Sequence, residues 1–247
     1  MTIEYSIRAD ERSRVALVHG GSAPWVASPE SGVERRLLER IGGEVALATS
    51  IVRYAAGSRF AEHVHGLGEE FLVLEGVFSD AAGDYPVGTY VRNPPGSRHA
   101  PFSVGGCVIF VKLRQMHVAE TRSVRCFEAG RAWQFTGSPG RLRALLFESG
   151  GVVVALQRLA AGAELPLGGE GGPQEVFVVE GEAVLEDGAV MEGGAVMEGG
   201  APGAMARWSW LRRPWGGAAR IVSPAGALLW VKAGHLGPAG ATIARDI

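Results

Sequence analysis

The chain has 247 residues, of which 47% are hydrophobic and 20% charged, and its formal net charge is −2. This composition excludes a disordered chain, and the charge gives no electrostatic basis for binding nucleic acid or a membrane surface. The 37 glycines and 13 prolines require frequent turns, which favours an all-β architecture of short strands. Two cysteines are too few for a disulfide framework or a cysteine-rich zinc site, so any metal must be held by His and carboxylate groups.

The N-terminal segment, MTIEYSIRADERSR, is polar from its third residue and lacks the apolar core of a signal peptide. No apolar run approaches the roughly 20 residues of a membrane-spanning helix. These features predict a cytoplasmic protein.

The predicted elements of the first half are mostly short strands. The segment 33–41, VERRLLERI, is the exception and is predicted as the one helix of this half. The segment 71–78 is the clearest strand, because it is rich in aliphatic and aromatic residues and is closed by the turn-forming residues 79–84.

Two histidines and a glutamate lie close together in the segment HVHGLGEE. His63 and His65 are two residues apart, so on a strand their side chains project from the same face and can chelate one ion. The Gly-Leu-Gly that follows can turn the chain, which allows Glu69, at the start of the next strand, to direct its carboxylate back toward the imidazoles. The segment therefore predicts three ligands of one metal.

A fourth candidate ligand, His99, ends the rigid turn Asn-Pro-Pro-Gly-Ser-Arg-His, which can deliver it from a distant strand. Glu70 and Arg98 flank ligands and are candidates to support them from outside the coordination shell. Three imidazoles and one carboxylate suit zinc, iron, manganese, nickel or copper. No catalytic residue can be named.

An internal repeat organises the whole chain. EFLVLEG at 70–76 matches EVFVVEG at 175–181, and YVRNP at 90–94 matches WLRRP at 210–214. The second copy has about 15 extra residues between these matches, within which GAVMEG occurs twice, at 188–199, and is expected to be an exposed hairpin or loop.

The repeat predicts two β-barrels of about 120 residues each. The domains are predicted at residues 1–118 and 119–247, and the first contains all the candidate ligands.

The ligand spacing resembles the two motifs of the cupin superfamily. The pattern G(x)5HxH(x)3E(x)6G runs from Gly57 to Gly76, and G(x)5PxG(x)2H runs from Gly88 to His99. Ser103 stands where an Asn often follows. The resemblance implies two tandem cupin, or jelly-roll, barrels.

Within that superfamily, residues 25–115 look like the cupin domain of ChrR-type zinc anti-sigma factors. The likeness is carried by HVHGLGEEFLVLEGVFSD and YPVGTYVRNPPGSRHAP. It implies a structural or sensory zinc site in a regulator of the oxidative stress response. The family's separate helical domain, which grips the sigma factor through a His and Cys zinc motif, has no counterpart in these residues, so sigma-factor binding is not expected.

The second copy has changed at all four ligand positions. The aligned residues are Gly168, Glu170, Gln174 and Ala219. One carboxylate and one amide anchor a divalent ion poorly, so no metal is expected in residues 125–247. The retained scaffold indicates a supporting role or an apolar ligand pocket. Trp208, Trp210 and Trp215 are candidates to line such a pocket, although packing in the core or between the barrels is the favoured role for them.

Two classes of function follow from the metal. Four protein ligands fill the shell of tetrahedral zinc, which suits a regulatory or stress-sensing module. Octahedral iron or manganese keeps two positions open, which suits a dioxygenase acting on a small dicarbonyl or aromatic ketone. Zinc is the expected cofactor, with iron, manganese or nickel as alternatives, and the residues leave open whether the chain is an enzyme.

The expected partner is a small-molecule ligand or a regulatory protein, with no nucleic acid and no membrane. A homo-oligomer is compatible with the sequence.

Overall fold

The computed structural model describes residues 15–43, 45–168, 172–186, 203–214 and 218–236, together with the backbone of 196–198. Every helix or strand assigned in these ranges is a β-strand, which confirms the predicted all-β fold class. Within them, no helix is long and apolar enough to cross a membrane.

The strands are numbered in chain order. The first thirteen are β1 (Ala16–His19), β2 (Val26–Ala27), β3 (Val33–Gly42), β4 (Ala46–Tyr54), β5 (Ser58–Arg59), β6 (His63–Val64), β7 (Glu69–Asp80), β8 (Gly83–Pro86), β9 (Tyr90–Asn93), β10 (Arg98–His99), β11 (Phe102–Ser103), β12 (Cys107–Leu113) and β13 (Val124–Cys126). The next eleven are β14 (Gln134–Phe135), β15 (Arg141–Ser149), β16 (Val152–Leu159), β17 (Glu164–Leu167), β18 (Gln174–Gly181), β19 (Ala183–Glu186), β20 (Val196–Glu198), β21 (Ala204–Met205), β22 (Ser209–Arg213), β23 (Ala219–Val222) and β24 (Ala227–Ala233).

Contacts divide the described chain into two compact units. The first consists of Pro24–Arg131, and the second of residues 15–23 and 132–236. The sequence repeat places the domains at 1–118 and 119–247, so the two divisions differ in where they assign β1 and β13.

Strands β1 and β13 precede the two copies of the repeat at equivalent positions. β1 pairs antiparallel with β22 in the second unit. β13 pairs antiparallel with β9 in the first unit. Because β9 and β22 are themselves equivalent, the leading strand of each copy completes the sheet of the unit that contains the other copy.

The first unit is built on a sheet of order β13-β9-β7-β12-β4-β3-β2, to which β5, β8 and β11 are joined. The short strands β6 and β10 pair separately. Phe71 and Val73 of β7 lie in the core with Val52 of β4 and Ile109 of β12. Since alternate residues of a strand share a face, Glu69 begins β7 on the side of this core.

The second unit repeats this plan. Its larger sheet has the order β14-β15-β16-β24-β18-β22-β1-β20, and its smaller sheet has the order β17-β23-β19-β21. The core is aliphatic and includes Leu167, Val176, Val178, Ile221 and Leu229. The prediction of two tandem barrels is therefore confirmed.

The predicted helix at 33–41 is wrong. These residues form β3, which pairs antiparallel with β4 from Val33 to Gly42. The register shifts between Leu37 and Glu39, as at a β-bulge. A bulge interrupts the two-residue alternation of a strand, so the apolar residues do not show a regular strand period in the sequence.

Two features of the second copy lie partly outside the described residues. Of the GAVMEG repeat, only the backbone of β20 is described, and it pairs in parallel with β1. Trp215 also lies outside. Trp208 and Trp210 are buried, at 8% and 0% exposure, as the predicted packing role requires.

Candidate metal centre

Two short strands hold two of the predicted ligands side by side. β6 and β10 pair antiparallel, with His63 directly opposite His99. The backbone continues this pairing beyond the strands, since the N–H of His65 donates to Ser97 O at 2.9 Å and that of Gly96 donates to His65 O at 2.8 Å. Cross-strand neighbours have closely spaced side chains, and the centroids of the His63 and His99 rings are 4.9 Å apart.

The carboxylate of Glu69 reaches the same point from the start of β7. Gly68, with φ 77°, turns the chain just before it, and a side chain at that position would collide with Met116. Asn93 stands opposite Glu69 in the register of β7 and β9, and its Nδ2 donates to Glu69 Oε2 at 3.0 Å. The turn and the amide together direct the carboxylate toward the imidazoles.

The structure brings all four predicted ligands, His63, His65, Glu69 and His99, together. One ligand atom from each lies within 4.8 Å of the others. Glu69 Oε2 is 3.4 Å from His65 Nε2 and 3.5 Å from His99 Nε2. Ligands at about 2.0–2.1 Å from a tetrahedral ion are about 3.3–3.4 Å apart, so these two distances fit such an ion.

Hydrogen bonds at the Nδ1 atoms fix the orientation of the three histidine rings. His63 Nδ1 lies 3.2 Å from Ala61 O and His99 Nδ1 lies 3.2 Å from Asp80 Oδ2, and both oxygens can only accept. His65 Nδ1 lies 3.0 Å from Ser97 Oγ.

The Ser97 hydroxyl donates its own proton to Pro94 O at 2.5 Å. Its oxygen therefore accepts the hydrogen bond from His65 Nδ1. Each Nδ1 therefore carries the proton, which leaves the lone pair of each Nε2 for an ion. The Nε2 atoms of His65 and His99 are buried without a hydrogen-bond partner among the described residues. These donor atoms suit a divalent metal.

Burial favours the neutral form of the His65 and His99 imidazoles. It lowers the pKa of His65 to about 4, with the charge of His63 acting in the same direction. It also lowers the pKa of His99, although Glu69 and the hydrogen bond to Asp80 act in the opposite direction. Since metals bind neutral imidazole, protons compete little for these two side chains at neutral pH.

The two flanking residues are placed differently from the ligands. Glu70 lies on the opposite face of β7, where its Oε2 accepts hydrogen bonds from Tyr90 Oη at 2.6 Å and Arg92 Nη1 at 2.9 Å. Arg98 is exposed and its Nη1 is 3.9 Å from Glu62 Oε1. A supporting role for Glu70 and Arg98 stays a prediction.

Sequence reasoning missed three side chains that form hydrogen bonds with the ligands, namely Asp80, Asn93 and Ser97. Asp80 lies in the segment interpreted only as a turn, and Ser97 in the turn before His99. Asn93 could have been found once β7 and β9 were recognised as neighbours, because it follows from their register.

A cavity of about 640 Å³ is lined by all four ligands. Its walls include the apolar residues Val33, Phe60 and Leu113 and the guanidinium groups of Arg35 and Arg114. Its size is typical of a site for a small molecule.

In the second unit, Gly168, Gln174 and Ala219 stand at three of the ligand positions, and Glu170 lies outside the described residues. Gln174 pairs with Arg213, as Glu69 pairs with Asn93. The absence of metal from this unit stays a prediction.

Comparison with known proteins agrees with this architecture. Residues 13–117 match the family model described as the ChrR Cupin-like domain. A search of curated protein sequences finds no match.

Three solved structures show similar folds. A candidate dioxygenase from Nostoc punctiforme has a TM-score of 0.69 and 12% identity, over 90% of this chain and 83% of that one. The bacterial pirin YhhW from Escherichia coli, in complex with nickel(II), has a TM-score of 0.62 and 13% identity, over 89% and 98%. Lactobacillus farciminis oxalate decarboxylase, in its formate complex, has a TM-score of 0.59 and 10% identity, over 88% and 85%.

The fold and the motifs define the chain as a cupin with two tandem jelly-roll barrels. The match of residues 13–117 to the ChrR cupin-like model confirms the resemblance found in the sequence.

Proposed function

We propose that the first barrel binds one zinc ion through His63, His65, Glu69 and His99 and acts as a regulatory or stress-sensing module. The observation that carries this proposal is the set of oxygen atoms that face the Nδ1 atoms of the three histidines. Each Nδ1 faces an oxygen that accepts its proton, so the Nε2 lone pairs are available beside the carboxylate of Glu69.

The residues of the barrel would share the work of holding the ion. Glu69 supplies one negative charge, and Asn93 keeps its carboxylate in place. Asp80 and Ser97 orient the rings of His99 and His65. Bound zinc would link these four side chains as a structural or sensory centre.

Metal analysis of the purified full-length chain tests this proposal. We expect one zinc per chain, and capture experiments with the zinc-loaded chain are expected to recover a regulatory protein partner. Abundant iron in place of zinc, with no protein captured, would contradict the regulatory assignment.

The cavity favours one further candidate, an iron-dependent dioxygenase acting on a small dicarbonyl or aromatic ketone. The four ligands lie in the wall of a space large enough for such a substrate, and one structural neighbour is described as a candidate dioxygenase. Oxygen uptake by the iron-loaded chain with these substrates, absent in His65→Ala, would support it. Uptake no greater than that of His65→Ala would exclude it for the substrates tried.

The remaining assignments extend the same proposal. The second barrel would support the first without a metal of its own, and the protein would act in the cytoplasm without nucleic acid or membrane. Whether it acts as a homo-oligomer can be tested by light scattering.

A further inference from the structure

Arg114 has a backbone conformation that is unusual for an arginine. It follows β12 directly and has a φ of 59°, in the left-handed region that favours glycine. Its N–H donates to Gly68 O at 2.9 Å. The equivalent position of the second unit is occupied by Gly234, with φ 81°. The first unit therefore has an arginine where the second unit has a glycine, the residue that adopts this φ without strain. This difference points to a role for the arginine side chain.

The loop between His65 and Glu69 leaves room for this side chain. A Cβ at Gly66 would lie 2.6 Å from Arg114 Nη1, although Gly66 is not in the left-handed region. The guanidinium therefore occupies the space that a larger residue in the loop would fill. Its Nε is buried without a hydrogen-bond partner among the described residues. A cation placed beside the metal ligands in this way is available to an anion in the cavity.

The rest of the cavity limits what that anion can be. Arg35 supplies a second guanidinium, whose Nη2 donates to Ser28 Oγ at 2.6 Å. Much of the remaining wall is apolar, as at Val33, Phe60 and Leu113.

Two exposed carboxylates, Glu30 and Glu62, also line the cavity and disfavour a dianion such as phosphate. A singly charged ligand with an apolar body fits these walls best.

We propose that the cavity binds a small organic carboxylate, whose carboxylate group is held by Arg114 and whose apolar body contacts Val33, Phe60 and Leu113. Arg35 adds positive potential from β3. This inference rests on the proposed function, because the carboxylate would be the molecule to which the metal-containing barrel responds. A planar guanidinium suits this role, since it can donate two parallel hydrogen bonds to one carboxylate.

Calorimetry on the full-length, metal-loaded chain tests the proposal with 4-methyl-2-oxopentanoate and its neutral methyl ester. We expect the acid to bind at least about 10-fold more tightly than the ester. Arg114→Gly should weaken binding of the acid by about 10- to 100-fold, the range for a lost charge-assisted hydrogen bond, and leave the ester unaffected. Thermal stability should be unchanged or higher in this variant, because glycine relieves the strained φ.

Two further variants control the interpretation. Arg59→Gln removes an exposed arginine of β5 that does not line the cavity and should leave both affinities unchanged. Gly66→Ala should displace the Arg114 guanidinium and weaken binding of the acid, while the metal is retained.

Equal affinities for acid and ester, undetectable binding of the acid, or unchanged binding in Arg114→Gly would overturn the carboxylate site. So would tighter binding of inorganic phosphate than of the acid. Metal content separates the two proposals. A chain without metal overturns the proposed function, yet an acid preference that is lost in Arg114→Gly would still support the carboxylate site. A metal-loaded chain with no acid preference overturns this inference alone.

Discussion

The two barrels share one sheet plan and differ in what fills their interiors. In the first, aromatic rings pack behind the candidate ligands. The Phe78 ring centroid lies 4.6 Å from that of Phe71 and 5.9 Å from that of His99. In the second, the equivalent residues are Val176 and Ala183, within an aliphatic core.

This difference shows that the sheet does not depend on the site. The pairing of β7 with β9 and β12 recurs in β18 with β22 and β24, although every ligand has been replaced. Backbone pairing and burial of the inner face maintain the barrel in both units. The barrel does not require the polar cluster, which the first unit holds in place with specific hydrogen bonds.

The largest effect on zinc affinity is expected when a ligand of the first barrel is replaced by the residue that the second barrel has at that position. Glu69→Gln places in the site the side chain that Gln174 has at the equivalent position. We expect zinc affinity to fall on the order of 100- to 1000-fold, because a total of about 10–16 kcal/mol shared among four ligands is about 2.5–4 kcal/mol each. Competition with a chromophoric chelator measures the change. Gln174→Ala should leave the affinity unchanged, and an equal loss in both variants would contradict the assignment.

The second effect concerns how the stability of the metal-free chain depends on pH. Burial lowers the pKa of His65 to about 4 in the folded state, whereas in the unfolded chain it is close to 6.5. The unfolded state therefore takes up protons first as the pH falls. The associated stability is present above pH 6.5 and is lost toward pH 4, on the order of 2–3 kcal/mol.

Urea denaturation of the metal-free chain between pH 7 and pH 4 measures this loss. His65→Ala removes the titrating group and should flatten the dependence. An equally steep decline in that variant would assign the effect to other groups.

A smaller effect is expected from the carboxylate that orients His99. Asp80→Asn should weaken zinc binding about 10- to 100-fold, as is typical when a hydrogen-bond partner of a metal-bound histidine is lost. Asp84→Asn is the matched control, because Asp84 lies in the same turn but accepts from Ser79 Oγ at 2.6 Å. Equal zinc affinities of the two variants would show that Asp80 does not act on the site.

The smallest effect is expected at β13, the strand that begins the second copy of the repeat but pairs with β9 of the first unit. Arg125 on β13 lies 5.6 Å from the centroid of the Tyr85 ring and donates from Nε to Tyr85 Oη at 3.2 Å. Arg125→Ala should lower the free energy of unfolding by about 0.5–1 kcal/mol, the range for an exposed cation–π contact.

Because Tyr85 Oη donates to Asp80 Oδ1 at 3.0 Å, zinc affinity in Arg125→Ala should also fall, by less than about 10-fold. Arg158→Ala breaks a similar contact with Trp133 in the second unit and should lower stability alone. A loss of zinc affinity in Arg158→Ala would contradict this division.

The candidate ligands were predictable because their placement is mostly local. His63 and His65 share a strand direction, Gly68 turns the chain, and Glu69 begins the next strand, so the seven residues from His63 to Glu69 contain the geometry. The turn before His99 adds the fourth ligand by the same kind of reasoning. Metal binding itself remains a prediction.

The features that the sequence did not reveal depend on pairing between distant segments. The exchange of β1 and β13 requires knowing which sheet edge each strand meets. The role of Asp80 requires knowing that the end of β7 passes behind His99. The side chain of Arg114 reaches the site only because the end of β12 lies next to the loop at Gly66.

The exchanged strands bear on how fragments of this protein should be expressed. A gene fragment ending at residue 118 encodes no β13, so β9 would become an open edge whose free backbone groups invite aggregation with other chains. Extending the fragment to Arg131 supplies the missing neighbour from the same polypeptide. For a recombinant first barrel, the useful stop codon therefore lies beyond the repeat boundary.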